Sequence, residues 1–316
     1  MPSYNDIQIQ ESILKTLAYF DIFDYPLTKS ELRKFLWLAS KLVEKEFLFN
    51  LENLLIQKQI ETEHNFYFLK DRKDNVKNRQ LKIKLVEEKL VIAKKAVKKL
   101  RYVPFLRSVF ICNTVAAGVP NNDSDIDVFI IAKKNYLWLV RFFSTIILKF
   151  FRLRTSELNH KNRMCLSFYA TDTNLNLEKL QMNNRDDVYL VYWILQLIPI
   201  YDQTNLYQSI LRANKWLNNY VNLQEDNYYL PEYLQVKDNK NSLKIKNVFE
   251  KFFENKKYLL KLIEKIQYNK VRKNYGLYAD MSDSRVVISD EFLKFHENDR
   301  RKEYSDKWVA KFKEIL

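Results

Sequence analysis

Apolar positions along the chain change their spacing several times, and each change marks an element. Ile13, Leu14, Leu17, Ala18 and Phe20 recur at helical intervals, so residues from about 9 onward read as a helix. Thr28-Lys29-Ser30-Glu31 follows Pro26 and has the form of a capping box, which opens a second helix. Leu51, Leu54, Leu55 and Ile56 suit a third. Ile60–Glu63 and Phe66–Leu69 are strand-like runs on either side of His64-Asn65, a turn-forming pair.

Three helices followed by a two-stranded hairpin predict a winged-helix-like unit over residues 1–72. Beyond it, Ile83, Val86, Leu90, Ala93, Val97 and Leu100 are spaced alternately by three and four residues, one stripe along a long helix. Lys82, Lys84, Lys89, Lys94, Lys95, Lys98 and Lys99 fall mostly off that stripe, toward solvent. Val109–Cys112 and Ile126–Ile131 read as buried strands, Met164–Ala170 as a third, with an apolar helix from about Tyr136 to Phe151 between them. That helix is short and carries Arg141 and Lys149, so it reads as buried in protein and not as a membrane span. From Asp186 the pattern is mainly helical, over Val188–Leu197, Leu206–Tyr220 and about Val248–Lys273. Val286–Ile288 is a short strand, and Ser289 or Asp290 is placed to cap a last helical stretch. The expectation is an α+β chain: a winged-helix-like domain (1–72), a core with a small mixed sheet (73–180) and a mainly helical C-terminal domain (181–316).

Composition narrows the function classes. Two glycines in 316 residues, Gly118 and Gly276, leave no way to write a P-loop or a dinucleotide-binding fingerprint. The two cysteines, Cys112 and Cys165, lie in apolar runs without metal-ligand spacing. They fit small packing residues in a reduced, cytoplasmic protein, and the N-terminus lacks the pattern of a signal peptide.

The formal charge of +14 is concentrated in two segments, +9 over Lys70–Arg101 and +8 over Lys237–Lys273, and the rest of the chain sums to −3. The lysine-rich helices 82–101 and 244–273 are therefore the surfaces for any RNA contact, and a solvated face is the plainer alternative. Residues 1–69 also sum to −3, which argues against DNA binding by the winged-helix-like unit, because duplex binding depends on neutralising phosphates.

The candidate chemistry lies between the first two core strands. Asp125 and Asp127 are two apart at a strand start, so both carboxylates project from one face. Two carboxylates on one face repel unless a cation sits between them, and oxygen ligands with room for phosphates suit Mg²⁺. Upstream, Thr114 stands in a polar turn beside an expected helix start, a place for phosphate oxygens.

The stretch from Cys112 to Ile131 resembles the nucleotidyltransferase superfamily that includes DNA polymerase beta and the small antitoxin-type nucleotidyltransferases. Its signature is a strand, Gly-Ser, a further glycine and a Ser-Asp-x-Asp strand. Here Thr114 stands at the serine, Gly118 at the later glycine and Ser124-Asp125-Ile126-Asp127 at the acidic end. The signature covers only about residues 108–132; more loosely, the N-terminal helical unit, the lysine-rich helix and the helical tail look like a group of bacterial proteins with a nucleotidyltransferase core. The resemblance implies transfer of a nucleoside monophosphate from an NTP to an acceptor hydroxyl, the acceptor being RNA, a protein or a small molecule. Asp125 and Asp127 would be the catalytic residues and bind Mg²⁺; Asn113, Thr114, Gly118 and Ser124 would contact the nucleotide.

Two positions differ from the signature. Its first glycine is Asn113 here, and Asn is the non-glycine residue best able to take a left-handed conformation. The third carboxylate usual on a later strand is not identified: Ser167 lies mid-strand and Asp172 beyond its end. The alternative is a catalytically silent nucleotide- or RNA-binding protein. His64 and His160 read as turn and loop residues, His296 as part of a charged helix surface. Trp138, Trp193 and Trp216 read as core.

Overall fold

The N-terminal elements form where local sequence favours them. In the computed structural model, which describes residues 5–156, 158–223, 230–279, 284–295 and 298–315, helix α1 spans Asp6–Asp21, opened by a capping box between Asn5 and Gln8. Strand β1 (Leu27–Thr28) leads into α2 (Lys29–Lys34). There the Thr28 hydroxyl accepts from the Glu31 amide at 3.3 Å, and the Glu31 carboxylate accepts from the Thr28 amide at 2.9 Å. Helix α3 covers Glu44–Ile56, and strands β2 (Ile60–Glu63) and β3 (Phe66–Leu69) follow. They are joined by His64 and Asn65 at φ +50° and +65°, the left-handed pair whose twist matches an antiparallel hairpin. Strand β1 pairs with β3, completing a small sheet of order β1-β3-β2.

Helix α4 (Asp74–Leu100) links this unit to the core. The core runs β4 (Leu106–Ile111), α5 (Asn113–Ala116), β5 (Ile126–Ala132), α6 (Leu137–Phe150) and β6 (Met164–Thr171). It continues through α7 (Val188–Leu195), β7 (Ile198–Asp202), α8 (Leu206–Ala213), α9 (Lys240–Glu254) and α10 (Lys257–Ala279). Strands β8 (Val286–Ile288) and β9 (Phe292–Phe295) and helix α11 (Arg301–Ile315) close the chain. Six strands form one mixed sheet, order β7-β4-β5-β6-β9-β8, in which β5 and β6 are parallel and the other neighbours antiparallel. The fold is thus mixed α/β, with eleven α-helices and two sheets among the described residues. No described helix is long and apolar enough to cross a membrane.

Side-chain alternation gives the sheet two different faces. Val109, Ile111, Val128 and Ile130 pack with Leu90, Val97 and Leu100 of α4, Leu139 of α6, Phe253 of α9 and Ile263 of α10. Phe110, Phe129, Ile131 and Phe168 pack on the opposite face, with α1, α7 and α8 and with Trp308 of α11. The N-terminal unit is docked on that second face. Trp308 Nε1 donates to the Lys15 carbonyl at 2.8 Å, and the Tyr192 hydroxyl to the Phe35 carbonyl at 2.9 Å.

Several expectations are corrected. The segment read as mainly helical supplies, besides the expected Val286–Ile288 strand, two further strands of the main sheet, β7 and β9. Strand β7 follows α7 after two residues within one apolar run, so no periodicity change announces it; Pro199 is tolerated because β7 is an edge strand. Ser289 turns the β8–β9 hairpin instead of capping a helix, its hydroxyl accepting from the Phe292 amide at 3.0 Å. The expected Leu206–Tyr220 helix stops at Ala213, where buried Asn214 binds the Leu177 amide and the Leu175 carbonyl, and a 3₁₀ turn follows. Ile83 is exposed, whereas Lys89 is fully buried.

Gly118 sits at φ +76°, and a Cβ there would lie 2.5 Å from Tyr25 Cε2 and 2.9 Å from an Arg79 nitrogen. Gly276 is helical with nothing nearer than 3.9 Å. Gly118→Ala is expected to cost about 1–3 kcal/mol of stability, and Gly276→Ala to add about 0.5–1 kcal/mol. Urea denaturation of the two variants checks the contrast.

Candidate functional site

The site forms where β4 and β5 end side by side on the second face of the sheet. Cys112 closes β4, and Asn113 turns the chain at φ +54°, a left-handed conformation that suits asparagine and aims its side chain inward. Asn113 Oδ1 accepts from Trp193 Nε1 of α7 at 2.8 Å, which fixes the turn against the helix above it. Helix α5 proves to be a single turn, too short for the helix-dipole contribution expected at Thr114.

Asp127 lies within β5, with Asp125 immediately before the strand. Each offers a carboxylate oxygen within 4.8 Å of the other and of the Cys165 sulfur. Cys165 is the register partner of Asp127 on β6, and between Asp127 and Phe129 the register shifts so that β6 contains one extra residue. That bulge lets Ser167 face Asp127 as well, and its hydroxyl donates to Asp127 Oδ1 at 3.1 Å. Cys165, read from sequence as a packing residue, is thereby placed beside both carboxylates.

Burial and the neighbouring Asp125 charge push the Asp127 carboxyl up to about 6, against the hydrogen bonds of Asn113, Cys165 and Ser167. Asp125 is also raised by burial, opposed by Cys165, His160 and Lys89. No described histidine, cysteine or carboxylate outside this trio joins it in a metal-holding group.

Lys89 positions the pair from below. It is three residues after Val86 and four before Ala93, so the helix carries it into the core. Its ammonium donates to the Ser124 carbonyl at 2.7 Å and to Asn162 Oδ1 at 3.0 Å, tying the loop before β5 to the loop before β6. The Ser124 hydroxyl is spent locally, donating to Asn121 Oδ1 at 3.0 Å. Gly118 faces Tyr25 and Arg79 at the seam with the N-terminal unit. Asn113, Thr114 and Asp127 therefore come together at one cavity, whose lining contains none of Asp125, Gly118 and Ser124.

That cavity, of ≈190 Å³, is also lined by Lys294, Asp299, Arg300 and Arg301. Arg301 is buried and committed: it binds Asp299, Asp187 at 2.8 Å and the Leu180 carbonyl at 2.6 Å. Burial would raise Asp299, but the Arg301 hydrogen bonds and the charges of Lys294 and Arg301 hold it at about 2. Burial and the nearby Arg301 charge lower Lys294 to about 8. No spacing in the sequence links this basic wall, some 170 residues downstream, to Asp127. His296 falls outside the described residues. Trp138 and Trp216 are core, as expected, whereas Trp193 is both core and cavity wall.

Because its pKa is raised in the folded state, ionised Asp127 opposes folding. The penalty is absent below about pH 4, grows between pH 4 and 6, and is complete above 6. At about 1.4 kcal/mol per pKa unit, Asp127→Asn is expected to stabilise the metal-free protein by about 1–3 kcal/mol at pH 7.5, with little gain at pH 4. Thermal melts of both proteins across that range check the sign.

No protein-family model, curated protein or solved structure matches this chain.

Proposed function

We propose that the protein is a Mg²⁺-dependent nucleotidyltransferase that moves a nucleoside monophosphate from an NTP to an acceptor hydroxyl, with a winged-helix-like N-terminal unit docked on its core. The observation that carries this reading is the closeness of Asp125 to Asp127, which itself lines a cavity with Thr114, Lys294 and Arg300.

The carboxylates suit the ion: two anionic oxygens on one face leave positions for water and phosphate oxygens, whereas the soft Cys165 sulfur is a poor Mg²⁺ ligand. When bound, Mg²⁺ draws charge from the phosphates and offsets the repulsion between the two aspartates. In transfer, the acceptor oxygen bonds to the α-phosphorus as the α–β bridging bond breaks, and pyrophosphate leaves. The chain's contribution is to position and to stabilise charge. The Thr114 hydroxyl and the Arg300 and Lys294 cations line the space where the triphosphate would lie, and Lys89 and Ser167 hold the loop and the Asp127 carboxylate in place.

The second reading, a catalytically silent nucleotide- or RNA-binding protein, draws on one specific feature. The β6 positions facing Asp127 carry Cys165 and Ser167, and Asp299, the other carboxylate on the cavity, is held by Lys294 and Arg301. The exposed lysines of α4 would serve RNA binding. They include Lys95, Lys98 and Lys99 on the stretch of α4 that packs against the sheet face opposite Asp127, so RNA held there would lie away from the cavity.

Incubation with each labelled NTP, Mg²⁺ and RNA, protein or small-molecule hydroxyl acceptors tests the reading. Transfer with pyrophosphate release, reduced at least 100-fold in the Asp125→Asn/Asp127→Asn double variant, is the expected outcome; each catalytic group of this kind is worth about 10²-fold or more. Transfer that the double variant retains contradicts the assignment. Salt-sensitive RNA binding without transfer, weakened by alanine at Lys94, Lys95, Lys98 and Lys99, supports the second reading.

A further inference from the structure

A second cavity, of ≈260 Å³, lies between α1 of the N-terminal unit and α7 of the core, and shares Asn113, Thr114, Tyr189, Trp193 and Tyr304 with the first. Its walls are aromatic: Tyr19 and Phe23 from the N-terminal unit face Tyr189, Trp193 and Tyr304. The Tyr189 and Tyr304 rings are stacked, 5.4 Å between centroids and 18° between planes, at the threshold where the two cavities meet. Phe23 meets the Tyr304 ring at 4.9 Å.

The hydroxyls in this cavity are the unusual feature. Tyr19 is only 3% exposed, yet its hydroxyl has no hydrogen-bond partner among the described residues. Tyr189, whose phenol is raised by burial, has none either among those residues. Tyr189 is half-buried and neither hydroxyl is fully enclosed, so both are open to hydrogen-bond with something that enters the cavity. Lys82 and Gln196 add polar groups to the same lining. Flat aromatic walls with polar groups among them match a planar ring whose faces stack and whose edge carries donors and acceptors. An aliphatic chain would leave the phenols unpaired.

We propose that this cavity binds a nucleobase, so that the N-terminal unit forms part of the substrate site. The identification of the ring as a nucleobase rests on the nucleotidyltransferase reading. The threshold at Thr114 lets a ring in the aromatic cavity continue into phosphates beside Asp127. The base belongs either to the NTP or to an acceptor nucleotide, whose hydroxyl would approach from this side.

Calorimetric titration of the full chain with adenosine, guanosine, cytidine and uridine, in EDTA, tests the proposal without metal or transfer. At least one nucleoside is expected to bind, with affinity weakened about three- to tenfold by Tyr19→Phe or Tyr189→Phe, the loss of one hydrogen bond. Because this titration needs neither metal nor transfer, its outcome is distinguishable from any failure of the transfer assay. Competition between nucleoside and NTP in Mg²⁺ assigns the cavity to the donor's base; simultaneous binding assigns it to the acceptor's. No nucleoside binding, or binding equal to wild type in both tyrosine variants with unchanged melting temperatures, overturns the proposal.

Discussion

Two half-buried carboxylates at the start of one strand, held close together, are the constraint around which the rest of this protein is arranged. Burial, together with their proximity, raises the Asp127 carboxyl to about 6. The arrangement persists because neighbouring elements fix each side of it. Ser167 holds Asp127 from β6, Lys89 holds the backbone ahead of Asp125 from α4, and Asn113 turns the adjacent loop under Trp193. A close pair of carboxylates with a raised pKa, one of them lining a cavity, is characteristic of functional sites.

The two faces of the sheet separate what charge counting alone merges. The lysine excess suggests one basic protein surface, but Lys95, Lys98 and Lys99 lie on the part of α4 that packs against one face, whereas the aspartates open on the other. The cations near the aspartates come from elsewhere: Lys294 of β9, Arg300 and Arg301 before and within α11, and Lys82 at the neighbouring cavity. Formation of the site therefore depends on the C-terminal strand and helix folding back onto the core and on the N-terminal unit docking over α7. Gly118 belongs to that docking. Its missing Cβ admits Tyr25 and Arg79, and Arg79 in turn pairs with Glu31 at 2.9 Å.

Local signals were legible in the sequence and distant ones were not. The Thr28–Glu31 box, the His64-Asn65 turn, the strands carrying Val109 and Ile126 and the left-handed turn at Asn113 each depend on residues a few positions apart, and the structure contains all of them. Strand β7 was not legible because Val188 to Tyr201 is apolar almost throughout, so a helix passes into a strand without a change of pattern. Strand β9 has four residues, too few to show a period. Lys89 was read as solvent-facing from its charge, although its spacing from Val86 and Ala93 places it on the buried side. Cys165 became a neighbour of the aspartates only through parallel pairing and a bulge, and the aromatic cavity only through docking of α1 against α7. Neither has a sequence spacing to betray it.

The central claim is that Asp125 and Asp127 together hold a divalent cation that a nucleoside triphosphate helps to bind. Electron paramagnetic resonance of Mn²⁺, titrated into the protein with and without a non-hydrolysable NTP analogue, tests it most directly. The account predicts a bound-ion signal that strengthens with the analogue and disappears in Asp125→Asn/Asp127→Asn. Equal Mn²⁺ binding by the double variant, or binding indifferent to the nucleotide, would contradict it.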